Sequence, residues 1–128
     1  MKFETKAIHS GQDPEPTTGA VVVPIFATST YAQDAPGKHA GYDYSRTDNP
    51  TRSALQTALA ALEGVDEGSG GGSTATASGM AATALLGYTL KAGEHVLLPD
   101  DAYGGTYRFF VRVLGEQGFT WSVARFTD

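Results

Sequence analysis

Thr74-Ala75-Thr76-Ala77-Ser78, then Gly79, then Met80-Ala81-Ala82-Thr83-Ala84-Leu85-Leu86-Gly87-Tyr88, and beyond Gly93 the run His95-Val96-Leu97-Leu98-Pro99, together decide the fold class. Residues 74–78 read as a short strand. Ala81, Ala84, Leu85 and Tyr88 then fall at i, i+3, i+4 and i+7, one face of a helix predicted over 80–91 and closed near Gly93. Residues 95–98 form a compact apolar strand ended by Pro99. Tyr107, Phe110, Val111 and Leu114 repeat the helical spacing until Gly115 to Gly118 stop it, and Phe119 to Val123 read as the next strand. Strands and helices alternating at such short intervals predict a parallel or mixed sheet with covering helices, the α/β class.

Upstream of this pattern, Asn49 can cap a helix and Pro50 suits its first position, where a missing N–H costs nothing. Leu55, Ala58, Leu59 and Leu62 follow on one face, and Gly64 ends the helix. Between the two helices, Gly68-Ser69-Gly70-Gly71-Gly72-Ser73 has a linker's composition, as a loop insertion or an engineered graft. Five of the six prolines lie between residues 10 and 50, with almost no helical periodicity. Residues 1–48 are therefore expected to be an extended arm with short irregular pieces, and residues 49–128 the α/β part. Val21-Val22-Val23-Pro24-Ile25-Phe26 is apolar but contains Pro24, which fits a segment laid on another surface better than a central strand. Such an arm has no core of its own and is expected to pack on a neighbouring domain or subunit.

Composition narrows the function. Of 128 residues, nine are Lys or Arg and 14 are Asp or Glu, a net charge of −5, with 41% hydrophobic residues. That balance supports a folded core and, without a basic stripe, argues against nucleic acid or an anionic membrane as partner. No apolar run approaches the roughly 20 residues of a membrane span, and Met1-Lys2-Phe3-Glu4-Thr5-Lys6 lacks a signal peptide's apolar stretch, so a cytoplasmic setting is expected. There is no cysteine, hence no disulfide and no thiolate chemistry. His9, His39 and His95 are far apart in sequence and are read as structural or exposed, so no metal site is expected.

In an open α/β sheet, ligands bind where strand ends lead into helix N-termini. Ser78-Gly79-Met80 is one such corner: Gly79 lets a ligand approach the backbone, and first-turn amides with the positive helix end form a phosphate cradle. Small residues there also serve simply to turn tightly. At the second corner, Asp100-Asp101-Ala102-Tyr103-Gly104-Gly105-Thr106-Tyr107, the ring of Tyr103 has room to lie over a planar ligand. The plainer reading caps the helix with Asp101 and half-buries Tyr103. Near the end of the arm, Tyr44 and Arg46 would point to the same side of an extended chain, offering a phenol and a planar fork suited to phosphate. An exposed or ion-paired arginine is the plainer alternative.

Three ordered segments carry a resemblance: Tyr44-Ser45-Arg46 with Asn49-Pro50-Thr51; Ala77-Ser78-Gly79-Met80-Ala81-Ala82; and Asp101-Ala102-Tyr103-Gly104-Gly105-Thr106-Tyr107. With Phe3-Glu4-Thr5, Ala7-Ile8-His9-Ser10-Gly11-Gln12 and Thr17-Thr18-Gly19-Ala20-Val21, they resemble the N-terminal third of the Cys/Met-metabolism enzymes that use pyridoxal 5'-phosphate, nearest the bacterial cystathionine γ-synthase and γ-lyase branch. The resemblance implies a fold-type-I transferase, with the arm and the first part of the large cofactor domain represented. It implies that the backbone amides of Gly79 and Met80 hold the cofactor phosphate, and that Tyr103 stacks on the pyridine ring. Tyr44 and Arg46 would reach the phosphate of a neighbouring subunit's cofactor, so that the site is shared across a dimer and the assembly is a tetramer.

The implied chemistry is γ-replacement or γ-elimination on an activated homoserine or cystathionine. The γ-synthase reaction is foremost; cystathionine γ-lyase, methionine γ-lyase and homoserine sulfhydrylase remain alternatives. The glycine-rich stretch at 68–72 lengthens a connection that is shorter in the family, and Val23 stands where relatives tend to have proline. The family's Schiff-base lysine, the aspartate facing the pyridinium nitrogen and the arginine for the substrate carboxylate are expected beyond residue 128. Lys2, Lys6, Lys38 and Lys91 are the chain's own lysines, none at a strand-end corner. On that reading these residues are inactive alone and need a C-terminal portion or companion chain; a non-catalytic split module is the other reading.

Overall fold

A computed structural model describes residues 1–65 and 70–127, which divide into two compact units, Met1–Ala75 and Thr76–Asp128. Residues 66–69, including Gly68 and Ser69 of the glycine-rich stretch, lie outside the described residues.

In the first unit, helix α1 (Phe3–His9) interrupts what the sequence suggests is an extended arm. The segment contains neither glycine nor proline, and it packs against helix α2 (Pro50–Leu62). Lys6 Nζ donates to the Ala61 carbonyl at 3.1 Å, a cation placed at the carbonyl end of α2, where the helix dipole favours it. Gly11 lets the chain pass this helix closely: its φ is +71°, and a Cβ there would collide with the Ala54 carbonyl oxygen. The expected ends of α2 are present. Asn49 Oδ1 accepts from the Thr51 N–H at 2.9 Å, with Pro50 at the first position. At the other end the Gly64 N–H reaches Ala61 O and the Val65 N–H reaches Ala60 O, with Gly64 at φ +77°, the double bond of a Schellman cap.

Residues 28–45 fold back as a narrow ribbon. Its tip is the antiparallel pair β1 (Gln33–Ala35) and β2 (Lys38–His39), and its base is the Thr30–Tyr44 bridge. The Tyr31 and Tyr42 rings lie 5.5 Å apart across it. Earlier in the arm, Glu15 accepts from the Thr18 hydroxyl and from the Thr17 and Thr18 amides, which holds its exposed carboxyl at about 2, below the usual 4.5.

In the second unit, helix α3 (Gly79–Thr89) is followed by β3 (His95–Pro99), a helical connection and β4 (Thr120–Ala124). The two strands pair in parallel, from His95 opposite Thr120 to Pro99 opposite Ala124. His95 closes the start of the ladder, its Nδ1 2.9 Å from Thr120 Oγ1 and its Nε2 2.8 Å from Ser122 Oγ. The connection begins as α4 (Gly104–Arg108), widens into a π-helical stretch over Phe109–Leu114 and tightens to a 3-10 turn at Gly115–Gln117. Leu98, Phe110 and Leu114 are buried, with Leu90, Val96, Phe109, Val111 and Phe119 against them. Of the face expected for this third helix, Phe110, Val111 and Leu114 face the core and Phe109 is added by the wider turn, whereas Tyr107 stays exposed, 5.7 Å from the Trp121 ring.

Residues 74–78 differ from expectation and form no strand. The Ala75 N–H, which a ladder would use, goes to Gln56 Oε1 at 2.9 Å, and Thr76 Oγ1 bonds the Ser78 carbonyl two residues on. Ser73, at the end of the glycine-rich stretch, is likewise tied down, its Oγ donating to Gln56 O at 2.6 Å. Among the described residues no helix is long and apolar enough to cross a membrane.

Gly87 is the buried residue of α3, and a Cβ there would lie 2.9 Å from Phe109 Cε1 and 3.2 Å from Leu114 Cδ1. Gly87→Ala gains up to about 1 kcal/mol of helix propensity but forces the Phe109 ring away at a cost of about 1–3 kcal/mol. Urea unfolding should show net destabilisation; a more stable variant would mean that Phe109 is free to move aside.

Candidate functional site

The corner at the start of α3 is built by one hydroxyl. Ser78, in extended conformation, accepts from the Ala81 N–H through Oγ at 3.1 Å, and its carbonyl accepts from Ala82 N at 3.1 Å. The Gly79 and Met80 N–H groups, between these two bonds, have no partner among the described residues. They open into a concavity of about 440 Å³ lined by Ser78, Gly79, Met80, Thr83, Tyr103 and Thr106. A Cβ on Gly79 would meet nothing within 4 Å, so any side chain there would stand in the open space beside the two amides.

Tyr103 reaches the same concavity from the end of β3. The chain leaves Pro99 through Asp100, whose N–H bonds Ala124 O at 3.0 Å and whose Oδ2 lies 3.6 Å from Arg125 Nε. Tyr103 itself stands at the N-cap position of α4, with no side-chain cap bond there, and is 73% exposed. The plainer reading, an Asp101 cap with a half-buried tyrosine, is not what this corner shows. Gly105 makes room for the ring: a Cβ at 105 would lie 2.5 Å from Tyr103 Cε1 and 3.1 Å from Met80 Sδ. Thr106 Oγ1 contacts Met80 Sδ at 3.9 Å, linking the start of α4 to that of α3.

The first unit holds the other two candidates. Tyr44 and Arg46 lie on a turn and not on an extended chain: the Thr47 and Asp48 amides both bond Tyr44 O, at 2.9 and 3.0 Å. What brings the two side chains together is stacking, with Arg46 Cζ 4.8 Å from the centroid of the Tyr44 ring. The turn is fastened at Ser45, whose N–H bonds Ser29 O, whose Oγ donates to Thr28 O, and whose Oγ also accepts from Asn49 Nδ2 at 3.1 Å. Asn49 therefore has two tasks, capping α2 with its oxygen and holding this turn with its nitrogen, which also reaches Phe26 O at 3.0 Å. Sequence reading found the cap and missed the brace, because the brace depends on chain brought back from residues 26–29. Among the described residues Arg46 meets no carboxylate, and no group of three or more His, Cys, Asp or Glu side chains is arranged to hold a metal.

These features suit a phosphate ester on a flat ring. Two unpaired amides at a helix N-terminus match a phosphate's acceptor oxygens, and an exposed aromatic ring at the same concavity offers a stacking face. Within the first unit, and separately, the Arg46 guanidinium beside the Tyr44 ring meets no carboxylate among the described residues and is a planar donor fork of the kind that suits phosphate.

Comparison with known proteins gives the same chemistry. Residues 4–128 match the family model of the Cys/Met metabolism PLP-dependent enzymes. The chain is 56% identical over 126 residues to a probable cystathionine gamma-synthase of Herpetosiphon aurantiacus, covering 98% of this chain and 38% of that protein. It is 50% identical over 127 residues to a cystathionine beta-lyase of Coxiella burnetii, covering 98% of this chain and 32% of that one. The crystal structure of metB from Corynebacterium glutamicum superposes with a TM-score of 0.88 at 41% identity, over all of this chain and 32% of the other. The chain thus spans about a third of the length of these relatives. Its fold is that of the corresponding part of a PLP-dependent α/β enzyme, pyridoxal phosphate is the cofactor the match implies, and the chain belongs to the Cys/Met metabolism PLP-dependent enzyme family.

Proposed function

We propose that this chain supplies the phosphate-holding part of an enzyme of sulfur amino-acid metabolism that performs γ-replacement or γ-elimination on an activated homoserine or cystathionine. The γ-synthase reaction is favoured by the 56% identity to a relative of that name, against 50% to a β-lyase. The observation that carries the reading is the pair of amides, Gly79 and Met80, without a partner among the described residues, at the concavity that Tyr103 also lines. In this reading Gly79 and Met80 bind the phosphate, Tyr103 lies on the ring, and Tyr44 and Arg46 reach the phosphate of a neighbouring subunit. Residues 1–48 would then be an intersubunit arm and 49–128 the start of the cofactor domain, in a cytoplasmic homotetramer.

When bound, pyridoxal phosphate supplies the electron sink that makes bond cleavage at an amino acid's carbon skeleton accessible. The residues here bind and orient. The amides would neutralise part of the phosphate charge at the positive end of α3, and Tyr103 would offer the ring a stacking face and shield it there from water. The single lysine of the second unit, Lys91, follows the C-terminal end of α3, away from the corner at its start. We therefore propose that the covalent anchor and the catalytic acid–base groups come from a further portion or companion chain, and that residues 1–128 alone are inactive.

Gly79→Val tests the cradle. A Cβ at 79 touches nothing in the free protein, so folding should be nearly unaffected while the branched side chain blocks the amides. Cofactor titration of the assembled enzyme should show strongly weakened binding; normal binding would remove the cradle.

Tyr103→Phe should retain most cofactor affinity, while Tyr103→Ala should lose on the order of 1 kcal/mol, read from the cofactor dissociation constants. Equal and negligible effects would leave Tyr103 without a part in the site.

Mixed dimers test the shared site and the reaction together. One subunit carries Arg46→Ala; the other lacks the lysine that anchors the cofactor. If Arg46 acts across the interface, the lysine-bearing site takes its arginine from the other subunit, and turnover at the γ-carbon recovers. Arg46→Ala in both subunits should weaken phosphate binding by roughly 1.5–3 kcal/mol. No recovery in the mixture would place Arg46 in its own subunit's site.

A further inference from the structure

We infer that Arg52 is a positioning residue that sets the reach of Arg46, an inference that rests on the assignment of Tyr44 and Arg46 to a phosphate. Its guanidinium forks across the turn that carries Arg46. Nη1 donates to Ser45 O at 3.2 Å and Nη2 to Thr47 O at 2.6 Å, the carbonyls of the residues on either side of Arg46. Nη2 also lies 3.4 Å from Asp48 Oδ1, and the same oxygen accepts from Ser53 Oγ at 2.9 Å and from the Asn49 N–H at 2.7 Å. With Tyr44 O already taken by the Thr47 and Asp48 amides, the carbonyls of residues 44, 45 and 47 are all held.

Helix stability does not explain this arginine. Arg52 sits in the first turn of α2, where the helix dipole disfavours a cation, and no acidic residue shares that turn. Asp48, just before the helix, offsets part of that cost. What the position gains is the span between two carbonyls of a turn, seven and five residues back, which a planar fork bridges and an ammonium does not. The two arginines divide the work: Arg52 is spent on backbone, and Arg46 stacks on Tyr44 with no carboxylate partner among the described residues.

The test compares pyridoxal phosphate with pyridoxal, which lacks the phosphate, as titrants of the assembled cofactor-free enzyme carrying Arg46→Ala, Arg52→Ala, Arg52→Lys or both alanine changes. A positioning role predicts that Arg52→Ala weakens pyridoxal phosphate about tenfold and leaves pyridoxal unchanged. Arg52→Lys, which keeps the charge and the stem, should recover only part of that loss. The double alanine variant should bind no worse than Arg46→Ala alone, since a positioner has nothing left to position. Amide exchange at Thr47 and Asp48 should quicken in Arg52→Ala while the interior of α2 stays protected. Equal loss for both aldehydes, full rescue by lysine, or additive losses would overturn the role of Arg52 while leaving Arg46 at the phosphate. An Arg46→Ala enzyme that binds both aldehydes normally would overturn the phosphate assignment, and the positioning role with it.

Discussion

The bond from Ser78 Oγ to the Ala81 amide decides what the second unit can do. A helix start has four N–H groups without intrahelical partners, and a serine cap removes one of them. The cap is spent on Ala81 and the helix's own ladder starts at Ala82, so the Gly79 and Met80 amides lie between the two without a partner among the described residues. Residues 74–78, just before the helix, spend their hydrogen bonds on Gln56 and locally. The far end is fixed by packing: Gly87 lets Phe109 and Leu114 close against α3. One end of the helix is held so that the other can face a ligand.

That economy leaves much apolar surface uncovered. Among the described residues three side chains, Leu98, Phe110 and Leu114, are buried, while Leu86 is 64% and Tyr88 88% exposed on α3, and Leu97 is 52% exposed on β3. A helix that is apolar on all sides belongs inside a larger structure, and a parallel pair of strands is stable only when both faces are covered. These surfaces agree with a chain that spans about a third of its relatives' length.

How far the sequence could be read follows from how local each feature is. The ends of α2 were legible because a cap, a first-turn proline and a closing glycine act within a few residues: Asn49, Pro50 and Gly64. The parallel pair was legible from two short apolar runs with a helical stretch between them. Helix α1 was missed because seven residues give too little periodicity, and its packing against α2 is non-local. The strand expected at 74–78 was lost to the Gln56 side chain, a competitor far away in sequence. Of the candidate site, the Gly79–Met80 corner and Tyr103 could be named from type and position. The closeness of Tyr44 and Arg46 was expected for the wrong reason: extended-chain geometry would have aligned them, whereas a turn and a cation–π stack do so.

That difference bears on how an anion would be met. On an extended strand Arg46 would sample many rotamers, and ordering it on binding would cost up to about 2 kcal/mol of side-chain entropy. On the turn, the Tyr44 face already restricts the guanidinium, a contact worth about 0.5–1 kcal/mol at an exposed position. The guanidinium makes no ion pair with a carboxylate among the described residues. A guanidinium held near an aromatic ring loses less freedom when its planar fork donates to an anion than one that is unrestrained. The restriction depends on the turn itself, so the placement of Arg46 extends back to the backbone of residues 44–48 and to the side chains of Ser45 and Asn49 that hold it.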